Sequence, residues 1–553
     1  MAAVPESTQR VGVVVVLALS LAAILWLERD RDWGRHLRAR LVMGVPWGTL
    51  LVSLGVLSVF LFLQDGWNHW RNPVTIPYHA WSYFSPFGVL VAAFSHAGSS
   101  HLVGNLTATL VVMPLAEYVF GHFPTERGTT SFGSLRTNPL VRALVLFPAG
   151  VVVVGLMTAL WSWGPVIGFS GVVFAAVGFA LVRYPLAAVV ALSAQGVVVT
   201  LYRALLNPVL TREASRRFVR PGWAGIAVQG HALGLFLGAT AAVLLLRRRG
   251  RLDAAGPGPL RLWLGAVLVA SGLGLWQLWW VQGGSTYVLY RAAGFGFLLV
   301  VGLLVTWAAV ASDRPMLGGG DFGLPGSVTR RQTAFALLLV PTLVMAGVAV
   351  PLNRNTVGGE TPADAATVEV REYTVLYAED VPDRMINVVD VELFGETTRV
   401  NTSGLIVVNR GRNVWSREVP PGQLAANGRA SVVVGGPGWR ETVVAVRRGW
   451  SAVGGGTAYK VWIGPREGPY DLAFRSDPAT ADAVIDGYEV SVAAEPEGFA
   501  LRLSRNGSVV AQAPVPDDNE SVRLASITFS RDGRTVVAAH ENTTVSVAKR
   551  ETY

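Results

Sequence analysis

Apolar residues in the first 351 positions fall in long unbroken runs, whereas beyond Pro351 they alternate with polar residues over short stretches. Crossing a bilayer core about 30 Å thick takes roughly 17–25 helical residues. Ten runs of about that length lie near 11–27, 41–63, 101–121, 142–161, 168–183, 185–206, 224–246, 259–281, 287–311 and 333–351. Each is predicted to be a membrane-spanning helix. The run starting near 168 is the shortest, about 24 Å at 1.5 Å per residue, so its first residues should lie recessed within the bilayer. After Pro351, segments such as Thr367-Val-Glu-Val-Arg, Val388-Val-Asp-Val-Glu-Leu, Thr442-Val-Val-Ala-Val and Thr544-Val-Ser-Val carry the period-two signature of half-buried strands. Asn506-Gly507 and Asp532-Gly533 stand between such runs as hairpin turns. The expected fold is an α-helical polytopic membrane protein followed by a β-rich, sandwich-like domain over 365–553, as one or two sandwiches. Residues 352–364 read as a linker and 315–326 as a flexible loop.

Charge divides the chain at the same place. Residues 1–351 hold 25 Arg against 11 Asp and Glu, and residues 352–553 hold 21 basic against 26 acidic side chains. The arginines fall between apolar runs rather than in an aromatic-interleaved patch, which sets nucleic-acid binding aside. They orient the chain instead. With the chain start outside, the loops 28–40, 122–141, 247–258 and 312–332, together with Arg142, Arg183 and Arg261, fall on the cytoplasmic side and carry 17 Arg. The opposite side carries six: Arg10, Arg71, Arg212, Arg216, Arg217 and Arg220. Arg203 and Arg291 lie inside predicted spans. The positive-inside rule therefore places the N-terminus and, after ten crossings, the C-terminal domain outside a cell membrane. Sequons at Asn401, Asn506, Asn519 and Asn542 fit an exposed extracytoplasmic surface. The first run lacks a basic segment before it and a small-residue cleavage site after it, so it reads as a retained span. The chain has no cysteine, which excludes disulfides, a thiolate nucleophile and a cysteine-type zinc site.

Polar groups inside membrane spans are costly and mark candidate sites. Three clusters stand near span starts: His96-Ala-Gly-Ser-Ser-His101-Leu-Val-Gly-Asn105, Gly168-Phe-Ser170-Gly171, and Gly230-His231-Ala-Leu-Gly234-Leu-Phe-Leu-Gly238. The three spans are all entered from outside, so their first residues meet at one depth. Serine is a poor nucleophile until a base takes its proton, and His231 is the histidine placed to do so. No acidic residue stands at matching depth, which predicts a Ser170–His231 dyad rather than a triad. His101 and Asn105, four residues apart on one helix face, can donate to an oxyanion. The Ser170 amide at a helix start can add a third donor. Singly, each cluster has an ordinary explanation: a chance Gly-x-Ser-Gly, interfacial histidines at 96 and 101, an interhelical bond from Asn105, and a small-residue packing face at Gly234 and Gly238. Their joint occurrence in fixed order at one depth is what points to chemistry.

The combination His96…His101-x-x-x-Asn105, Gly168-x-Ser170-Gly171 and His231-x-x-Gly234-x-x-x-Gly238 resembles the rhomboid intramembrane serine proteases. A rhomboid-like six-helix core would then occupy 41–250, with an extra helix and basic loop over 1–40 and three further helices over 251–351. The resemblance implies Ser170 as nucleophile, His231 as general base, His101 and Asn105 as the oxyanion-stabilising pair, and Phe174 packing on the catalytic imidazole. It further implies that Gly234 and Gly238 bring that helix close to the serine helix, and that Glu117 is a buried structural carboxylate. The family's Trp-Arg pair corresponds here either to Trp81-Ser82 or to Trp70-Arg71, and Gly230 replaces a common alanine. The implied activity is cleavage of transmembrane protein substrates near the outer membrane face, with no metal or cofactor. The rival expectation is a catalytically silent rhomboid-like protein that binds or escorts clients.

Overall fold

The computed structural model describes residues 5–27, 33–124, 129–210, 221–250, 256–283, 286–315, 328–355, 366–385, 392–393, 396–397 and 400–553. Arg212, Arg216, Arg217 and Arg220, most of the 315–326 loop, the linker from 356 onward and the Val388 strand up to Val391 lie outside the described residues.

Each of the ten apolar runs forms a helix over most of its length. In chain order the helices described up to residue 355 are α1 (Glu6–Leu27), α2 (Trp33–Arg40), α3 (Trp47–Leu63), α4 (Pro86–Val91), α5 (Ser99–Phe120), α6 (Pro139–Trp161), α7 (Ser170–Leu181), α8 (Pro185–Leu206), α9 (Val228–Arg248), α10 (Pro259–Gly272), α11 (Arg291–Val310) and α12 (Arg330–Asn355). Among the described residues, seven are long and apolar enough to cross a membrane, namely α1, α5, α6, α8, α9, α11 and α12, while α3, α7 and α10 are shorter apolar helices. Proline opens α4, α6, α8 and α10, where its missing N–H costs nothing and its φ is already helical. Asn138 caps α6, its Oδ1 accepting from the amides of Leu140 (2.9 Å) and Val141 (3.3 Å). Leucines and valines such as Leu19, Leu54, Val153, Val197, Leu303 and Val344 point outward, the pattern of a helix bundle with lipid as its solvent.

The expected span 259–281 is corrected. Its helix ends at Gly272, and Trp279–Gly283 pairs antiparallel with Thr286–Leu289 as a short hairpin. Gly274, at φ +74, turns the chain out of the helix. Apolarity alone read the β-forming Trp-Trp-Val stretch as a continuation of the helix. For the same reason the next helix starts at Arg291 rather than 287, so Arg291 is its first residue instead of lying within it.

α7 is the central helix. Its twelve residues span about 18 Å, nearly all of them are buried, and α5, α6, α8 and α9 pack around it. α9 comes closest, through glycines: a Cβ on Gly234 would run into the carbonyl oxygen of Gly171, one on Gly238 into that of Ala175, and one on Gly178 into that of Leu235. α10 packs on α8, α11 on α10, and α12 on α6 and α9, so the three additional helices cover one flank of the core.

A second fixed point is Glu117. Its carboxylate, fully buried, accepts from the amides of Gly48 (2.8 Å) and Thr49 (2.7 Å), the hydroxyl of Thr49 (2.7 Å) and His122 Nε2 (2.7 Å). The two amides belong to the first turn of α3, where the helix dipole favours an anion. His122 Nδ1 accepts from the amide of Val42 (2.9 Å), which fixes Nε2 as the donor to Glu117.

The C-terminal domain comprises two sandwich-like packings that share one long strand. Trp439–Ala452 pairs with Arg429–Gly436 through its first half, with Thr457–Pro465 from Val443 to Ser451, and with Thr543–Arg550 at its end. One core, around Tyr373, Val375, Leu405 and Val434, packs the sheet of Thr367–Val370, Tyr373–Pro382, Asn401–Asn409 and Val414–Val419 on the first half. The other, around Val490, Leu501, Phe529 and Val536, packs the sheet of residues 479–514 on the second. Both expected turns are present, with Asn506 and Gly507 at positive φ and Gly533 likewise.

Replacing Glu117 by alanine strands the donors of Gly48, Thr49 and His122 in the bundle and should lower stability by about 3 kcal/mol. Denaturant unfolding in detergent micelles measures it, and a loss under about 1 kcal/mol would contradict the anchoring role. Gly238→Val, which forces α7 and α9 apart, should destabilise by at least about 2 kcal/mol in the same assay, whereas Gly104→Val, which meets open space on α5, should cost under about 1 kcal/mol.

Candidate active site

Ser170 is the first residue of α7. The segment before it is held by the amide of Gly168, which donates to the carbonyl of Ala92 (2.9 Å), and by the carbonyl of Phe169, which accepts from the amides of Val172 and Val173 (3.1 Å each). His231 lies in the first turn of α9. That turn is tied to the end of α6 by Gln229, whose Nε2 donates to the carbonyl of Trp161 (2.9 Å) and whose Oε1 accepts from the amide of Trp163 (3.0 Å).

These anchors and the glycine contacts bring Ser170 Oγ within 2.8 Å of His231 Nε2. Phe174, one turn below Ser170 on the same face of α7, stacks on the His231 ring with centroids 4.1 Å apart and planes 20° from parallel. The ring restricts the imidazole to the orientation that points Nε2 at the serine. Both Ser170 and His231 are half-buried.

The first cluster faces the same segment. Gly168 sits at φ +127, and a Cβ there would lie 2.5 Å from His101 Cε1, 2.8 Å from His101 Nε2 and 3.5 Å from Asn105 Nδ2. A side chain at 168 would thus run into the His101 ring, which together with the positive φ is a physical reason for glycine two residues before the serine. Asn105 Nδ2 lies 3.0 Å from His96 Nε2, and the His96 and His101 rings meet edge to face at 5.1 Å. Gln64 locks His96: its Oε1 accepts from the His96 amide (2.8 Å), and its Nε2 donates to the carbonyls of His96 (2.8 Å) and Val74 (3.0 Å).

The predicted residues Ser170, His231, Gly171, Phe174 and Gly234 are therefore one contact group, and His96, His101, Asn105 and Gly168 form a second beside it. Gly238 lies one turn farther along α9 and serves the helix approach. Among the described residues, none hydrogen-bonds His231 Nδ1, and no group of three His, Cys, Asp or Glu could hold a metal ion. Such an arrangement can pass a hydroxyl proton to an imidazole. Of the two tryptophan alternatives, Trp81 is buried and donates to the carbonyl of Ile76 (2.6 Å), while Trp70 is exposed at the edge of Phe60.

Gln64, Gln229 and His122 were not legible as site or support residues. The glutamines act through backbone groups distant in sequence, His122 joins Glu117 to the distant amide of Val42, and a single such residue beside an apolar run carries no local pattern. The only available signal was that polar side chains at span ends need partners.

Residues 79–248 match the family model of the Rhomboid domain, a match that starts in the segment before α4 and ends on the last residue of α9. No curated protein and no solved structure matches the chain. The chain is a multi-pass membrane protein that carries a Rhomboid domain at residues 79–248, followed by a β-rich C-terminal region.

Proposed function

We propose that the protein is an intramembrane serine endopeptidase that cleaves transmembrane protein substrates through a Ser170–His231 dyad. The observation that carries this reading is the 2.8 Å contact between Ser170 Oγ and His231 Nε2, with Phe174 stacked on the imidazole. In the proposed cycle a substrate helix enters from the lipid and unwinds, because helical carbonyls are already hydrogen-bonded. His231 takes the hydroxyl proton as Ser170 Oγ attacks the exposed carbonyl, and returns it to the leaving amine. Water, activated by the same imidazole, then hydrolyses the acyl-enzyme. His101, Asn105 and the Ser170 amide stabilise the tetrahedral oxyanion. His96, Gly168, Gly171, Gly234 and Gly238 support this geometry. The functional unit in this reading is 41–250, with the N-terminus and the β domain outside the cell membrane.

Reconstitution in proteoliposomes with single-span reporter proteins tests the reading. Ser170→Ala and His231→Ala should each lower cleavage by about 10⁴-fold or more, and Asn105→Ala by about 10²–10³-fold, with insertion unchanged. Cleavage at the wild-type rate by Ser170→Ala would overturn the nucleophile assignment. A wild-type protein that captures reporters without cutting them would favour the silent, client-binding alternative.

A further inference from the structure

We propose that the C-terminal β domain positions the Ser170 site, with Val433 and Arg440 as positioning residues that act through the 64–85 segment on His96 and Asn105. This rests on the catalytic reading of Ser170.

The β domain seats directly on the segment between α3 and α4. Strand alternation divides the residues of Arg429–Gly436 between two faces. Val432 and Val434 enter the sandwich core, which also takes in Ile76 and Trp81 from the helical half of the chain. Val433 points the other way into a cluster with Val74 and Tyr78, against which Phe87, Val91 and Ile167 pack. Gly435 lets the strand approach Val74, since a Cβ there would lie 2.8 Å from Val74 Cγ1. At the rim, Arg440 donates to the carbonyl of Asn72 (3.2 Å) and pairs with Asp65 (3.6 Å), and Ser82 Oγ donates to the carbonyl of Arg412 (3.3 Å).

Two routes lead from this seat to the site. In the first, Val74 exchanges hydrogen bonds with Gln64 in both directions: its amide donates to the Gln64 carbonyl (2.9 Å) and its carbonyl accepts from Gln64 Nε2 (3.0 Å). The same Gln64 side chain holds His96 at both backbone groups, and His96 Nε2 meets Asn105 Nδ2. In the second, the Ala80 amide donates to the Val166 carbonyl (3.0 Å). Val166 is followed by Ile167, which packs on the Val433 cluster, and Ile167 directly precedes Gly168, Phe169 and Ser170. The apolar Val433 contact and the Gln64 clamp thus fix both the donors and the segment that delivers the serine. Small misplacements of such groups, made far from the chemistry, cost about 10²-fold in rate.

The test uses the full-length protein in detergent or nanodiscs, comparing wild type with Val433→Asp, Val433→Ile and Arg440→Gln. Two readouts are taken: the second-order rate of Ser170 labelling by a fluorophosphonate, and amide hydrogen exchange over 96–105 and 166–169. Val433→Asp should slow labelling at least about tenfold and speed exchange in both windows, Arg440→Gln should shift both in the same direction by less, and Val433→Ile should keep wild-type behaviour. In an Asn105→Ala background, Val433→Asp should slow labelling by less than it does alone, because only the route through Val166 and Ile167 to the serine segment remains. Wild-type labelling and exchange in Val433→Asp would overturn the proposal, as would full additivity with Asn105→Ala. If Val433→Asp fails to fold, Arg440→Gln decides by the same criteria. If wild-type protein does not label at all, the hydrolase reading falls by itself, and the exchange readout alone decides whether the β domain positions these segments.

Discussion

The close approach of α7 and α9 is the constraint on which the site depends. Helices that carry larger side chains at their contact stand farther apart, toward the upper end of the usual range of about 8–10 Å between axes. Here the carbonyls of Gly171 and Ala175 occupy the space that side chains at Gly234 and Gly238 would fill. Backbone therefore packs on backbone, and Ser170 and His231 meet at 2.8 Å. Lipid supplies no hydrophobic force between helices, so such contact must come from small residues and directional bonds. Glu117 supplies one set of those bonds at the start of α3, and Gln229 supplies another between α6 and α9.

Around that contact the chain has assembled a second layer. α12 ends beside the loop after α6, where Asn353 Nδ2 donates to the carbonyls of Leu160 (3.2 Å) and Ser162 (3.0 Å) and the Asn353 carbonyl accepts from the Tyr83 amide (3.1 Å). Ser162 in turn faces Gly230, next to His231. The added helices and the β domain thus both end on segments that border the serine and the histidine. That placement puts the appended half of the chain in direct contact with the Rhomboid domain.

Much of this was legible in the sequence because bilayer solvation is so restrictive. Ten apolar runs became ten apolar helices, and Ser170, His231, His101 and Asn105 could be grouped because helices crossing in the same direction bring their first turns to one level. The run at 259–281 misled because hydropathy does not distinguish a helix from a β-forming Trp-Trp-Val stretch, and the glycine at 274 carried the decisive information. Gln64 was missed because its partners are backbone groups of Val74 and His96, and His122 because it joins the Glu117 carboxylate to the backbone amide of Val42. The docking of Val433 on Val74 and Tyr78 could not be read either, since a valine facing another domain follows the same alternation as one facing solvent. The β domain's own strands were visible from their period, but the sharing of Trp439–Ala452 between two cores depends on long-range pairing that no local pattern encodes.

Whether Ser170 and His231 form one reactive pair facing the donors of His101 and Asn105 is tested most directly by a structure of the protein in nanodiscs after reaction with a peptidyl phosphonate. The expected result is a covalent bond from Ser170 Oγ to phosphorus, with a phosphonyl oxygen within about 2.7–3.1 Å of the donors on His101 or Asn105. An adduct on another residue, or an unmodified Ser170 standing apart from His231, would contradict it.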